Sequence, residues 1–230
     1  MKLTELNRKR FFYDTIADKY DHVMNIYDLR RRVEIIFGSL LKPDEVIGTK
    51  VLDVGCGTGW FSQQAAQWGA RVVSSDIGLQ MLKQVRQKCD SALVASDACR
   101  LCFQDASFDL VISSECIEHT PDPLLAVREM CRVLKPGGIL VITVPNKIWR
   151  FSATIAAAFK LRPYDGLENW IWWRQLRNEL KKQSLRIDRQ IGFHLFPPVL
   201  KPTWRFIRFM DRFGSAIGPV MLNMGVRARK

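Results

Sequence analysis

The stretch Val51-Leu-Asp-Val-Gly-Cys-Gly-Thr-Gly-Trp-Phe-Ser62 leaves this chain few folds to choose from. An apolar, β-branched run stops at Gly55, Gly57 and Gly59, and a helical pattern begins directly after them. Strand, tight turn and helix N-terminus in that order mark the carboxyl edge of an α/β sheet, where such folds bind ligands. Glycine belongs there because side chains would hold a ligand off the backbone and because a sharp turn calls for positive φ. A run as short as Val51–Val54 suits a central parallel strand covered on both faces.

The rest of the chain repeats the alternation. Strands are expected at Arg71–Ser75, Ala92–Ala95, Phe108–Ser113 and Ile139–Val144, with helices at Trp60–Trp68, Leu79–Cys89 and Leu124–Leu134, the last ended by Lys135-Pro-Gly-Gly. Strand and helix taking turns in this way argue for a doubly wound, Rossmann-like, mostly parallel sheet with helices on both faces. Ahead of it, Asn7–Ser39 carries apolar residues at three- and four-residue spacing and reads as helical. Behind it, Asn146–Gly166 reads as an irregular or helical insertion, Glu168–Lys182 as a helix, Ser184–Ile191 and Val220–Val226 as sixth and seventh strands. At 230 residues a single domain is expected, with an N-terminal helical part (1–45), a core (46–146) and a C-terminal part (147–230).

A dinucleotide fingerprint would place its third glycine at position 60, which is Trp60, so NAD and FAD are disfavoured. Strand two instead runs into Asp76 and strand three into Asp97, while Asp105-Ala-Ser-Phe-Asp-Leu-Val-Ile and Arg132-Val-Leu-Lys-Pro-Gly-Gly-Ile-Leu precede strands four and five. This ordered set resembles the class I S-adenosylmethionine-dependent methyltransferases, in particular those of ubiquinone and menaquinone biosynthesis, over about residues 10–146. The resemblance implies S-adenosylmethionine as cofactor, held by Tyr20, Asp53, Gly55, Cys56, Gly57, Gly59, Asp76, Ile77, Asp97, Ala98 and Ser114. Asp76 would accept hydrogen bonds from both ribose hydroxyls, a task for a carboxylate with several lone pairs. Asp97 would meet the adenine amino group, and Tyr20, in a segment similar to the lid of the quinone-pathway enzymes, would lie over the cofactor.

Strand four leads into Ser113-Ser-Glu-Cys-Ile-Glu-His-Thr-Pro-Asp-Pro123, at the rim where a methyl acceptor enters. Glu115, Glu118 and His119 match the E-x-x-E-H metal pattern of the ubiquinone-pathway O-methyltransferases, and Mg²⁺ held there would lower the pKa of a catechol-like hydroxyl. Without metal, His119 is a candidate general base with Glu118 beside it, and His194 is a second if the C-terminal part covers the site. Cys99-x-x-Cys102 has no second pair to complete a zinc site, and six cysteines within the core suggest reduced thiols in a cytoplasmic protein.

Charge divides the chain. From Lys147 onward there are 17 Lys+Arg against 5 Asp+Glu, so the whole excess of +12 lies in the last third, with five of the seven tryptophans. No stretch is apolar for long enough to suggest a membrane-spanning helix. Within Pro198–Phe213, Arg205, Arg208 and Arg212 share a narrow helical face and Trp204, Phe206, Ile207, Phe209, Met210 and Phe213 occupy the rest. Such a helix either lies in an anionic membrane interface or packs as a lid with a solvated arginine stripe. Nucleic acid ranks lower, because the basic residues alternate with long apolar side chains and no RNA-binding module is evident. The expected activity is methyl transfer to an apolar, lipid-linked or quinol/phenol-type acceptor, at oxygen rather than carbon. A soluble natural-product acceptor and a non-enzymatic, cofactor-binding accessory role are the alternatives. The sequence leaves the oligomeric state open.

Overall fold

Seven strands form one sheet in the order β3-β2-β1-β4-β5-β7-β6. The computed structural model describes residues 8–9, 11–158 and 166–230, with the backbone alone at 155–158. The strands are β1 (Lys50–Val54), β2 (Arg71–Asp76), β3 (Ala92–Ala95), β4 (Phe108–Ser114), β5 (Leu134–Pro145), β6 (Arg186–Phe193) and β7 (Asn223–Arg229). The first five are parallel, and β7 runs antiparallel between β5 and β6. The eight-residue-or-longer helices among the described residues are α1 (Ile26–Ile35), α2 (Trp60–Gln67), α4 (Pro123–Val133), α5 (Arg150–Ala158) and α6 (Trp173–Lys182); the shorter α3 (Leu79–Val85) and α7 (Trp204–Met210) complete the set used below.

Period-two alternation assigns the strand residues to two apolar layers. Leu52, Val54, Val111, Leu140 and Ile142 pack with Ala126, Val127, Met130, Leu176 and Leu180 from α4 and α6. Val51, Val72, Leu110, Ile112 and Val141 face Leu29 and Ile35 of α1 and Phe61 and Ala65 of α2. Because the chain winds outward from β1 in one direction and from β4 in the other, the ends of these two strands part and leave a crevice at the carboxyl edge, where the glycine loop lies.

Several boundaries differ from the sequence reading. The N-terminal helix is broken: a short turn at Tyr13–Ile16 and another at Tyr20–Val23 precede α1, whose start is fixed by Asn25 accepting from the amides of Tyr27 and Asp28. Asn7 and residues 159–165 of the expected insertion lie outside the described residues. Strand β5 starts at Leu134 rather than Ile139, because Lys-Pro-Gly-Gly does not end it; the register shifts between Phe108 and Leu110, and the strand then continues. Helix α6 begins at Trp173 rather than Glu168, because Asn169 donates its amide to Glu118 O at 2.7 Å and Ile171 bridges to Asn146. Strands six and seven both lie two to three residues later than expected. Among the described residues no helix is long and apolar enough to cross a membrane.

Candidate active site

The glycine loop joins β1 to α2 with Gly55 at φ 67°, Gly57 at φ 53° and Gly59 at φ 89°. A Cβ on Gly55 would strike the Cys116 side chain, whereas one on Gly57 would meet nothing within 4 Å, so Gly57 presents bare backbone to an open cleft. Asp76, at the end of β2, binds that backbone: its Oδ2 accepts from the Gly57 amide at 2.9 Å and its Oδ1 from the Gly78 amide at 2.8 Å. Each oxygen keeps a second lone pair for a ligand. Burial pushes the Asp76 pKa upward, and the two amides counter it by stabilising the charged form.

One cavity runs along this edge and is lined by Tyr20, Gly55, Cys56, Gly57, Asp76, Ile77, Asp97, Ala98, Ser114, Glu115 and His119 among others. Nearly all of the expected cofactor set is therefore brought together. Asp53 and Gly59 are not in the lining. Gly59 serves as the N-cap of α2, close against Val85. Asp53 is buried beneath the loop, where its Oδ2 accepts from Ser62 Oγ at 2.7 Å.

Burial raises the Asp53 pKa to about 7. The unfolded value is about 3.9, so between the two the folded state holds a proton that the unfolded state releases, and stability falls as pH rises through this window. Asp53→Asn is expected to flatten that fall and to gain on the order of 3 kcal/mol over wild type at pH 8, with little difference at pH 4. Thermal unfolding at the two pH values measures it, and an unchanged slope would refute the assignment.

At the other end of the cavity, Ser114 Oγ is 2.8 Å from Thr143 Oγ1 and Glu115 adopts a left-handed φ of 50°. That strained conformation turns the Glu115 carboxylate toward the sheet, where Oε2 accepts from Asn223 Nδ2 at 2.9 Å. Burial pushes Glu115 upward in pKa, against the pull of the Arg32 guanidinium. Arg32 itself is only 3 % exposed, pairs with Asp28 at 3.0 Å and reaches Ser114 Oγ at 3.5 Å. Sequence reasoning missed it, although among the described residues it is the one Lys or Arg that lines the cavity.

His119 is fixed on both sides. Its Nδ1 lies 2.8 Å from Leu167 O, and its Nε2 lies 3.2 Å from the Tyr13 hydroxyl. A carbonyl can only accept, so Nδ1 carries the proton, and in the neutral ring Nε2 holds a lone pair facing Tyr13. Glu118 is 2 % exposed and outside the lining, with Oε1 3.7 Å from His119 Nε2.

The expected metal triad does not form. Among the described residues no three His, Cys, Asp or Glu side chains converge on a common point, because Glu115 faces Asn223 and Arg32 while Glu118 is turned inward. His194 is also displaced from its expected place. It is fully buried outside the cavity, behind α1, with Nδ1 3.3 Å from Asp28 Oδ1, and burial lowers its pKa.

The N-terminal segment spans the cavity and is tied to the core at two points that the sequence did not reveal. Asp14 Oδ1 accepts from the amides of Gln80 at 2.6 Å and Met81 at 3.3 Å, capping α3 from outside. Asp21 accepts from Thr58 Oγ1 at 2.7 Å, Trp60 Nε1 at 3.1 Å and Lys88 Nζ at 2.6 Å. Next to Asp14, Tyr13 packs edge-on against Tyr20 and His119. Burial pushes the Tyr20 hydroxyl up to about 12, so it remains neutral.

Residues 52–142 match a family model described as a methyltransferase domain. Over these residues the chain is similar to that domain family, and its sheet has the fold of the class I methyltransferases. A demethylmenaquinone methyltransferase from Paenarthrobacter aurescens is 40% identical over 134 residues, which are 56% of this chain and 52% of that protein. A ubiquinone biosynthesis O-methyltransferase from Idiomarina loihiensis is 36% identical over 115 residues, 45% of each chain. The chain thus matches these curated relatives over about half of their length. The magnesium protoporphyrin IX methyltransferase of Synechocystis, solved with bound S-adenosylhomocysteine, shares the fold with a TM-score of 0.71 at 16% identity, covering 98% of this chain and 99% of that one. The matched residues include the glycine loop and Asp76.

Proposed function

We propose that the protein transfers the methyl group of S-adenosylmethionine to a hydroxyl of an apolar, quinol- or phenol-type acceptor. The observation that carries this reading is the bare Gly57 backbone facing the cleft with the Asp76 carboxylate held beside it. The residues present fit the cofactor. Asp76 has lone pairs for two ribose hydroxyls, Asp97 stands at the end of the adjacent strand for the adenine, and Arg32 offers the amino-acid end a buried cation. Tyr20 lies over the same cavity from the N-terminal segment.

When bound, the cofactor supplies a methyl group already activated on a sulfonium. What remains for the chain is alignment and proton removal. His119 Nε2 is the lone pair available for that proton, once the acceptor hydroxyl takes the place of the Tyr13 hydroxyl. An acceptor hydroxyl placed there would give its proton to Nε2 as its oxygen takes up the methyl group, so His119 would supply the base. The peptide oxygen of Leu167 then stabilises the imidazolium through Nδ1–H. Phe11, Tyr13, Leu29 and Phe61 give the cavity apolar walls suited to an aromatic or prenylated acceptor. Quinone-pathway relatives support the same class of acceptor.

Labelled S-adenosylmethionine presented with quinol, phenolic-lipid and glycolipid acceptors tests the reading. Label is expected on a quinol or phenol oxygen. His119→Ala is expected to lower kcat by about a hundredfold or more, with cofactor affinity held within a few-fold. Turnover with an acceptor that has no ionisable hydroxyl, unaffected by His119→Ala, would defeat the oxygen assignment. Chelation is expected to leave turnover unchanged, in keeping with the dispersed carboxylates.

A further inference from the structure

The segment after β6 takes no part in the cavity, yet it repeats one dipeptide three times: Arg205-Phe206, Arg208-Phe209 and Arg212-Phe213. Spacings of three and four residues bring these pairs to one side of α7 and the turn that extends it, Asp211–Phe213. The opposite side is anchored. Ile207 is fully buried, Asp211 accepts from Arg31 at 2.7 Å and from the His194 amide at 2.7 Å, and Trp204 stacks on Tyr27 at 4.5 Å. With the helix held in this way the rings cannot turn inward. Phe206, Phe209 and Phe213 remain 51 %, 50 % and 47 % exposed, and Val199 and Leu200 beside them 76 % and 63 %.

A solvated arginine stripe alone would be unremarkable, but a contiguous apolar patch next to it calls for a partner. The charges on this face are one-sided. Arg208 meets Glu34 at 3.2 Å, and among the described residues Lys201, Arg205 and Arg212 have no carboxylate partner. We propose that this face docks on an anionic lipid bilayer, with the phenyl rings at the headgroup boundary and the arginines among the phosphates. A second copy of the chain is disfavoured, because a two-fold contact would set arginine rows against each other. Stacked RNA bases are disfavoured too, because the rings are already engaged: Phe206 lies against Phe196, Phe209 against Phe213, and Arg212 over Phe209. The patch packs through Tyr27 and Arg31 onto α1, which gives Leu29 and Arg32 to the cavity, so docking would bring a lipid-borne molecule to this domain.

Flotation of the full chain with vesicles tests this without cofactor or acceptor, so its outcome is independent of the methyl-transfer reading. Vesicles of phosphatidylcholine with about one-third phosphatidylglycerol are expected to bind the protein at low salt and to release it as screening increases. Phosphatidylcholine alone is expected to bind at least about tenfold more weakly. The triple variants F206S/F209S/F213S and R205Q/R208Q/R212Q are each expected to lower partitioning by about tenfold or more. R205K/R208K/R212K keeps the charge and is expected to bind within a few-fold of wild type, and unchanged melting temperatures show that the variants fold. Equal binding to neutral and anionic vesicles, wild-type binding by either neutralised or Phe-less variant, or self-association or oligonucleotide binding in place of vesicle binding would overturn the proposal.

Discussion

Asp76→Ala is expected to weaken S-adenosylmethionine binding by about a hundredfold or more, measured by calorimetry against wild type. Two hydroxyl hydrogen bonds to a charged acceptor are worth about 1.5–3 kcal/mol each, and both would be lost. The substitution also strips the amides of Gly57 and Gly78 of their acceptor, so the loop loses the contact that holds its open backbone in place. Asp76→Asn separates the two effects. One amide oxygen can still accept, but the carboxamide nitrogen faces a donor, so affinity is expected to fall between wild type and alanine. Equal affinities for wild type and Asp76→Ala would place the ribose elsewhere and remove the main support for the proposed cofactor site.

The second large effect concerns stability. Arg32→Met removes the cation that pairs with Asp28 and acts on Glu115, and leaves the buried Glu115 carboxylate without it. Breaking a buried charge set in this way costs about 3–5 kcal/mol, which corresponds to a fall of roughly 10 °C in melting temperature for a domain of this size. The direction of its pH dependence follows from the loss of the cation. Without it the buried Glu115 carboxyl is harder to ionise in the folded state, so the deficit grows from pH 5 to pH 8. Adding Glu115→Gln to Arg32→Met is expected to recover part of the loss. A melting temperature within about 2 °C of wild type would show that the guanidinium does not hold the cluster together.

The sequence disclosed the parallel half of the sheet because each of those strands is a short Val, Ile or Leu run, and three of them end at a residue that lines the cavity: Asp76, Ser114 and the loop after Val54. It did not disclose that β7 inserts between β5 and β6, since that pairing joins residues far apart in sequence and depends on packing rather than on local pattern. The cavity divides similarly. Glycines and strand-end acids carry their meaning in their immediate neighbours, so Gly57 and Asp76 could be found. Arg32 could not be told from Arg30 and Arg31 by type; only its position three residues after Leu29 and four before Ile36, on the inward stripe, distinguishes it. Asp14 and Asp21 gave no signal, because an acid on an amphipathic segment looks solvated until its partners in α3, the glycine loop and Lys88 are known. The metal reading failed for a related reason: a spacing that matches a ligand pattern does not fix where the side chains point, and the left-handed backbone at Glu115 sends its carboxylate away.

Gly78 lies between the two ends of this arrangement. Its amide serves Asp76, while the space left by its missing side chain is filled by Asp14, whose Oδ1 would lie 2.7 Å from a Cβ there. Asp14 and the carboxylate proposed to bind the ribose thus act on opposite sides of a single residue. On the proposed reading, a nucleoside in the cavity lies against an N-terminal segment held to α3 by Asp14 and to Thr58 and Lys88 by Asp21. Two aspartate contacts that lie outside the proposed reacting centre would then bear on how readily a spent cofactor departs.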